Sequence, residues 1–350
     1  MTSLSENPSL KVVAIGGGTG LSTILRGLKR YVGRAGDNAP HSGAVIGRLT
    51  AIVTVSDDGG SSGRLRKEFN VPPPGDIRNC IVALSEEEEL LSRIFQYRFR
   101  HGEGLKDHNF GNLFLLALSD LTGDFAEAVR LSSEVLATRG HIFPATTSHV
   151  QLEAIMDDGT TVTGETQITA SKRRIVNLRM IPNDAQPIPD ALQAIEEADL
   201  ITIGPGSLFT SLVPNLLVSA IPKAICESKA VKVFICNLMT QANESLGLTA
   251  ADHIRALYDH AQCQLFNYAL VNNAPAPEDL RTRYAQEGQE QIAIDIDRIR
   301  QLGVKSLLGN YLDVYRRNED GTPVVRHNTQ RVAEDLIKIG TETKRAARTS

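Results

Sequence analysis

KVVAIGGGTGLSTILRGLKRY, residues 11–31, decides the fold. Its first five residues are a short apolar run, the pattern of a strand buried on both faces. GGGTG (16–20) then turns the chain. Leu21, Ile24, Leu25 and Leu28 follow at helical spacing. A second strand, LTAIVTVS (49–56), comes after a Gly-, Ala- and polar-rich stretch (32–43) expected to be a surface loop. Strand, turn, helix, loop and strand in this order begin a parallel α/β sheet.

From Ile77 to about Leu136 the periodicity is helical and no strand is expected. Ile77, Cys80, Ile81 and Leu84 share one face; Leu91, Ile94, Phe95 and Phe99 share another. Ser85 and Glu88 form a capping-box pattern, so a helix is expected to begin there. Residues 77–140 therefore read as a helical subdomain inserted into a core of residues 1–76 and 141–350. HVQLEAIMDDGTTVTGETQIT (149–169) alternates around a D-G turn and predicts a hairpin. Beyond it the α/β rhythm returns: PDALQAIEEA helix, DLITI strand, GPGSLFTSLVPNLL loop and helix start, VKVFICN strand. AADHIRALYDHA is then a helix, FNYALVNN a strand and QRVAEDLIKI a closing helix. TETKRAARTS is expected to fray.

Composition bounds the function. The 350 residues are 41% hydrophobic and 22% charged, ordinary for a soluble globular protein. A net charge of −4 gives no general attraction to nucleic acid or anionic lipid. The start has no apolar segment of a signal peptide, and no apolar run approaches the ~20 residues of a membrane span. Cys80, Cys226, Cys236 and Cys263 form no C-x-x-C pair and are expected to be reduced, mostly buried thiols of a cytoplasmic protein. No Cys/His metal spacing is present.

The loops at strand ends carry the chemistry, because ligands of open α/β sheets bind beyond the carboxyl ends of the strands. In GGGTG, bare amides and a helix N-terminus favour an anion, although a tight strand–helix turn needs the same glycines. A dinucleotide fingerprint is incomplete: Gly16 and Gly18 fit, but the third position is Leu21. SDDGGSSG (56–63) has three readings. Gly59-Gly60-Ser61-Ser62-Gly63 formally matches a nucleophile elbow, with no later His in a telling context. A flexible turn with solvated acids is the plain alternative. In the third reading Asp57 or Asp58 accepts ligand hydroxyls, or holds Mg²⁺ against phosphates, while the backbone at Gly60, Ser61 and Ser62 serves the phosphates. Carboxylates beside anion-binding amides suit a ligand both hydroxylated and phosphorylated, such as a nucleotide sugar.

PPPGDIRNC (72–80) places Asp76 at a helix start, where an N-cap is expected, with Arg78 and Asn79 in the first turn. DHNFGN (107–112) precedes a helix; His108, Asn109 and Asn112 are candidates for a ligand contact or for a local cap. GPGSLFTS (204–211) is a second glycine loop, with Gly204, Gly206, Ser207 and Thr210 as candidates. Asn237, Thr240, Gln241, Asn272 and Asn273 lie at further strand ends, where amides suit base or sugar recognition and also make good turns.

Seven ordered motifs carry a resemblance over residues 11 to about 330: GGGTGLSTILRGLK, IVTVSDDGGSSGRLR, PPGDIRN, HNFGNL, ADLITIGPGSLFTSLVPNLLV, CNLMTQ and VVRHN. They resemble the gluconeogenesis factor family (YvcK-type, UPF0052), distant relatives of the 2-phospho-L-lactate transferase CofD. The resemblance implies a Rossmann-like α/β fold: a mostly parallel sheet with helices on both faces and a small helical subdomain. It implies cytoplasmic binding of UDP-sugars such as UDP-N-acetylglucosamine, and a role in cell shape and envelope synthesis on gluconeogenic carbon. Gly17, Gly18, Thr19 and Gly20 would then meet phosphate or ribose. Asn237 and Asn272 would meet base or sugar, and Arg326 the diphosphate or sugar. Asp57 and Asp58 match the acidic pair that the transferase uses near its metal. The transferase's P-D-x-D-T pattern is reduced here to Asp76 of PGDIRN, and its P-S-N loop is replaced by Gly206-Ser207-Leu208. These departures argue against deazaflavin-linked transfer and leave another transferase open.

The expectation is a nucleotide-sugar binder with no required cofactor. The alternative is an Mg²⁺-dependent phospho-transferase with Asp57, Asp58 and Asp76 around the metal. A homodimer is expected on general grounds; a protein partner is left open, and neither nucleic acid nor membrane insertion is expected.

Overall fold

Strand β1 (Leu10–Gly16) is buried at every residue but Lys11, so both of its faces are covered. The computed structural model describes residues 9–33, 45–86, 88–171, 173–242, 244–316 and 321–349. The loop expected over 32–43 and the Glu88 side chain of the capping-box pattern lie largely outside them. After β1 come α1 (Gly18–Lys29) and β2 (Ile46–Val53). Helices α2 (Gly60–Phe69), α3 (Gly75–Leu84), α4 (Glu88–Phe95), α5 (Phe110–Thr122) and α6 (Phe125–Val135) lead to β3 (His141–Pro144). A small antiparallel sheet follows, of β4 (Gln151–Met156), β5 (Thr161–Thr163) and β6 (Ile175–Ile181), with α7 (Glu165–Ala170) between the last two.

The large sheet resumes through α8 (Pro189–Glu197) and β7 (Leu200–Ile203). A π-helical turn (Leu208–Leu212), α9 (Val213–Leu217) and α10 (Ile221–Glu227) precede β8 (Val231–Ile235), α11 (Ala250–Ala261) and β9 (Tyr268–Asn272). Then come α12 (Glu278–Gln286), α13 (Ile296–Gln301), β10 (Lys305–Gly309), the hairpin β11 (Leu312–Arg316) and β12 (Pro323–His327), and α14 (Thr329–Thr349).

The order β10-β9-β8-β7-β1-β2-β3 is parallel throughout, a Rossmann-like arrangement. Alternation along β1 serves two cores. Val13 and Ile15 face a cluster with α8, α9, α11 and the small sheet. Leu10, Val12 and Ala14 face α1, α3 and α14. From β1 the chain steps outward to β2 and β3, then crosses to β7 on the other side. That reversal makes the carboxyl ends of β1 and β7 the topological switch point, where ligands of such sheets bind. The two glycine loops flank it.

Helices α3–α6 supply the helical segment expected over 77–140, and Ile77, Cys80, Ile81 and Leu84 of α3 lie in the same core as β1 and β2. The predicted hairpin is β4–β5. Strands β3, β6, β10, β11 and β12 and helices α2, α10, α12 and α13 add to the expected elements, and α7 takes residues 165–169 that the hairpin reading assigns to a strand. Residues 341–349 do not fray; they extend α14 as a helix. The cysteine expectation is corrected too. Cys226, at the end of α10, is disulfide-bonded to Cys263, just beyond α11, while Cys80 and Cys236 are buried thiols. The pair is 37 residues apart and meets only because α10 and the α11–β9 loop adjoin in space. Among the described residues no single helix is long and apolar enough to cross a membrane.

Candidate functional site

Gly18 opens α1 with a φ of +61°, a backbone that glycine adopts without strain. Gly17, at the helix N-cap, contributes no side-chain cap, so the first turn's amides need outside partners. One has an unexpected partner. Asp76 does not cap its own helix, whose N-cap is Pro74. Its Oδ2 instead accepts the Gly18 N–H at 2.6 Å. The glycine turn is thereby tied to α3.

The second glycine loop lies directly against the first. A Cβ at Gly20 would stand 2.2 Å from the Pro205 carbonyl oxygen. The Gly204–Pro205 bond is cis. Asn237, just beyond β8, holds this loop from the other side: its Oδ1 accepts the Gly206 N–H at 3.0 Å and its Nδ2 donates to the Gly206 carbonyl at 2.7 Å. Both ends of the Asn237 carboxamide are thus engaged with backbone, which makes it a positioning residue.

These turns form one wall of a cleft of about 240 Å³. Gly17, Gly18, Thr19, Gly20, Gly206, Ser207, Asn237, Thr240 and Arg326 all line it. Tyr284, Gln289 and Val325 line it as well; no motif marks Tyr284 or Gln289, and Val325 lies in the VVRHN motif without being singled out there. Gln241 donates from Nε2 to Ser207 Oγ at 2.8 Å, and its buried Oε1 has no partner. Burial pushes the His327 pKa down to about 4, and its Nε2 donates to the Cys236 carbonyl, so the imidazole is neutral. Among the described residues the lining holds no carboxylate, and Arg326 is its fixed positive charge.

The remaining candidates lie outside this cleft. Asp57 accepts the Gly59 N–H, and burial raises its pKa. Asp58 Oδ1 accepts from both the N–H and the hydroxyl of Thr166, at 2.8 and 2.6 Å, in the first turn of α7. Gly60, Ser61 and Ser62 are not in a loop; they form the first turn of α2. Ser61 Oγ lies 3.2 Å from His108 Nδ1 and accepts from Asn109 N and Asn112 Nδ2. The structure thus pairs Ser61 with His108, a candidate that the sequence did not connect to Ser61, inside a buried network linking α2 to α5. Asn109 caps α5 through Gly111 N and Asn112 N. Asn79 accepts from Arg78. Thr210 donates to Glu244 at 2.7 Å. Asn272 donates to the Ala274 carbonyl and accepts the Tyr311 N–H. The roles of Thr210, Asn109 and Asn272 in this structure are those of loop and helix fastenings. Gly204, with a φ of +89°, turns the chain at the end of β7.

Asp57, Asp58, Asp76 and Glu165 form an acidic patch behind the first glycine turn. Burial, then the neighbouring Asp57 and Asp58 charges, raise Glu165 to about 7. Burial raises Asp76 to about 6 against the Gly18 hydrogen bond. Among the described residues no three carboxylates, imidazoles or thiolates are placed to hold one metal ion. Three carboxylates of the patch are engaged with protein donors: Asp57 with the Gly59 N–H, Asp58 with Thr166 and Asp76 with the Gly18 N–H.

Two predictions follow from these contacts. Asp58→Ala should lower stability by about 1 kcal/mol through loss of the α7 cap, read by urea melts, without changing affinity for a cleft ligand. Asp76 keeps its proton to higher pH folded than unfolded. The stability that this provides is complete below about pH 4 and is lost as pH rises through about 6; Glu165 adds a loss through about 7. Asp76→Asn retains an acceptor for Gly18. It should flatten the pH profile and gain about 1–2 kcal/mol relative to the parent near pH 8, measured by denaturant melts across pH.

The family profile described as 2-phospho-L-lactate transferase CofD matches residues 12–312. A Nostoc protein is 51% identical over 331 residues, covering 94% of this chain and 68% of its own length. The gluconeogenesis factor of Bacillus subtilis is 43% identical over 329 residues, 94% of this chain and 98% of that protein. The crystal structure of protein BH3568 from Bacillus halodurans superposes with a TM-score of 0.86 at 44% identity, covering 94% of this chain and 99% of that one.

Proposed function

The chain belongs to the 2-phospho-L-lactate transferase CofD family, among its gluconeogenesis factors, and from that premise we propose that it binds a UDP-sugar. The observation that carries the proposal is the cleft at the switch point, lined by glycine amides, hydroxyls and Arg326 and free of carboxylates. Amides at a helix N-terminus together with a guanidinium suit a diphosphate. Ser207, Thr240 and the unpaired Gln241 Oε1 suit the hydroxyls and imide N–H of sugar and base. At about 240 Å³ the cleft takes the diphosphate and part of the ligand. The remainder lies along its open side.

The protein acts by binding, with its output in cell shape and envelope synthesis during gluconeogenic growth, as the relatives' name suggests for carbon metabolism. A thermal-shift series with UDP-N-acetylglucosamine, GDP, NAD and Mg²⁺ tests this. A ligand at a hundredfold excess over Kd stabilises by about 2.7 kcal/mol. The expected result is a shift with UDP-N-acetylglucosamine, independent of Mg²⁺ and without turnover. Mg²⁺-dependent consumption of a nucleotide-activated substrate would favour the transferase, and a shift with NAD alone would point to a redox enzyme.

A further inference from the structure

We propose that the amino-terminal edge of the sheet carries a second anion site, independent of the nucleotide-sugar reading, for a small polyanion such as a phosphate ester or polycarboxylate. A concavity of about 400 Å³ opens there, at the starts of β8, β9 and β10. Lys229, Lys232 and Lys305 line it with Asn267, Tyr268 and Thr343, and no carboxylate is among the lining residues. None of the three lysines is in an ion pair among the described residues. In a chain of net charge −4, three ammonium groups gathered without a counter-charge repel one another, and a bound anion removes that repulsion.

The groups are also held in place. Lys232 Nζ donates to the Ser228 carbonyl at 2.6 Å, which leaves two of its three protons for a ligand. Burial alone lowers its pKa, with no neighbouring carboxylate to offset the cost. Lys305 Nζ lies 5.8 Å from the centre of the Tyr268 ring, a cation–π contact that restricts a long side chain. Asn267 Oδ1 accepts the Lys232 N–H, leaving its NH₂ group as a further donor. Lys232 is five positions from Asn237 of the cleft, about 17 Å of extended chain, so the two anion sites are at opposite ends of β8.

The test is calorimetric titration of the full chain with pyrophosphate and with citrate at constant ionic strength. Saturable binding of one or both is expected. In the Arg326→Ala background, where the cleft has lost its own cation for a diphosphate, saturable binding should persist, and Lys232→Gln/Lys305→Gln should weaken it at least about tenfold. Preference for pyrophosphate would assign a phosphate ester, and preference for citrate a polycarboxylate. Lys305→Gln alone, at an exposed position, should weaken binding in the same direction if the double variant does not fold. Unchanged affinity in the lysine variants, loss in Arg326→Ala instead, or no saturable heat from either anion would overturn the proposal.

Discussion

Replacing Gly20 by alanine is expected to abolish ligand binding and to cost about 2–3 kcal/mol of stability. Intrinsic propensity argues the other way. Gly20 lies in α1, and alanine in an exposed helix is better than glycine by about 1 kcal/mol. Packing decides against it. The new Cβ would meet the Pro205 carbonyl oxygen at 2.2 Å and Gly206 Cα at 3.1 Å. Both are backbone atoms, so no side-chain rotation relieves the overlap, and the two glycine turns must separate. Urea melts would read the stability loss and calorimetry the lost binding. A variant as stable as the parent would show that the turns are not in contact.

Arg326→Ala should weaken UDP-sugar binding by on the order of tenfold to a hundredfold, the 1.5–3 kcal/mol range of a charge-assisted hydrogen bond. Among the described residues Arg326 is the only cation in the cleft lining that is charged at every working pH. Its own contact is with the Val325 carbonyl next door, so stability should change by less than about 0.5 kcal/mol. The salt dependence of binding should fall with it, because a screened charge has been removed. Binding unaltered by the substitution would take the diphosphate away from this wall.

What the chain discloses before folding follows from local physics. The run at 11–15 and the helical spacing after it announce a buried parallel strand and its helix, and both are present. The glycine loops are visible because close backbone approach demands residues without side chains. The strands β3, β10 and β12 are four or five residues long and carry polar or proline residues at their ends, whereas β7, β8 and β9, equally short, are almost wholly buried and read as apolar runs. Asp76 looks like a cap because it precedes a helical run; only the tertiary approach of α1 gives its carboxylate Gly18 instead. Asn109 is left by the sequence between a ligand contact and a cap, and the structure shows the cap, which is a local contact. Ser61 and His108 are 47 residues apart, and no spacing rule connects them. Tyr284 and Gln289 enter the cleft from a segment with no motif at all. Contacts within a few residues are thus legible, and contacts made by the return of the chain are not.

The central claim is that the turns at 16–20 and 204–207 grip one ligand together with the segments at 237–241 and 323–327. Hydrogen–deuterium exchange with and without UDP-N-acetylglucosamine measures this directly. The account predicts slowed exchange in peptides covering those four segments, with the β6 and α11 surfaces unchanged. Protection confined to β6 and α11, or no protection anywhere at saturating ligand, would contradict it.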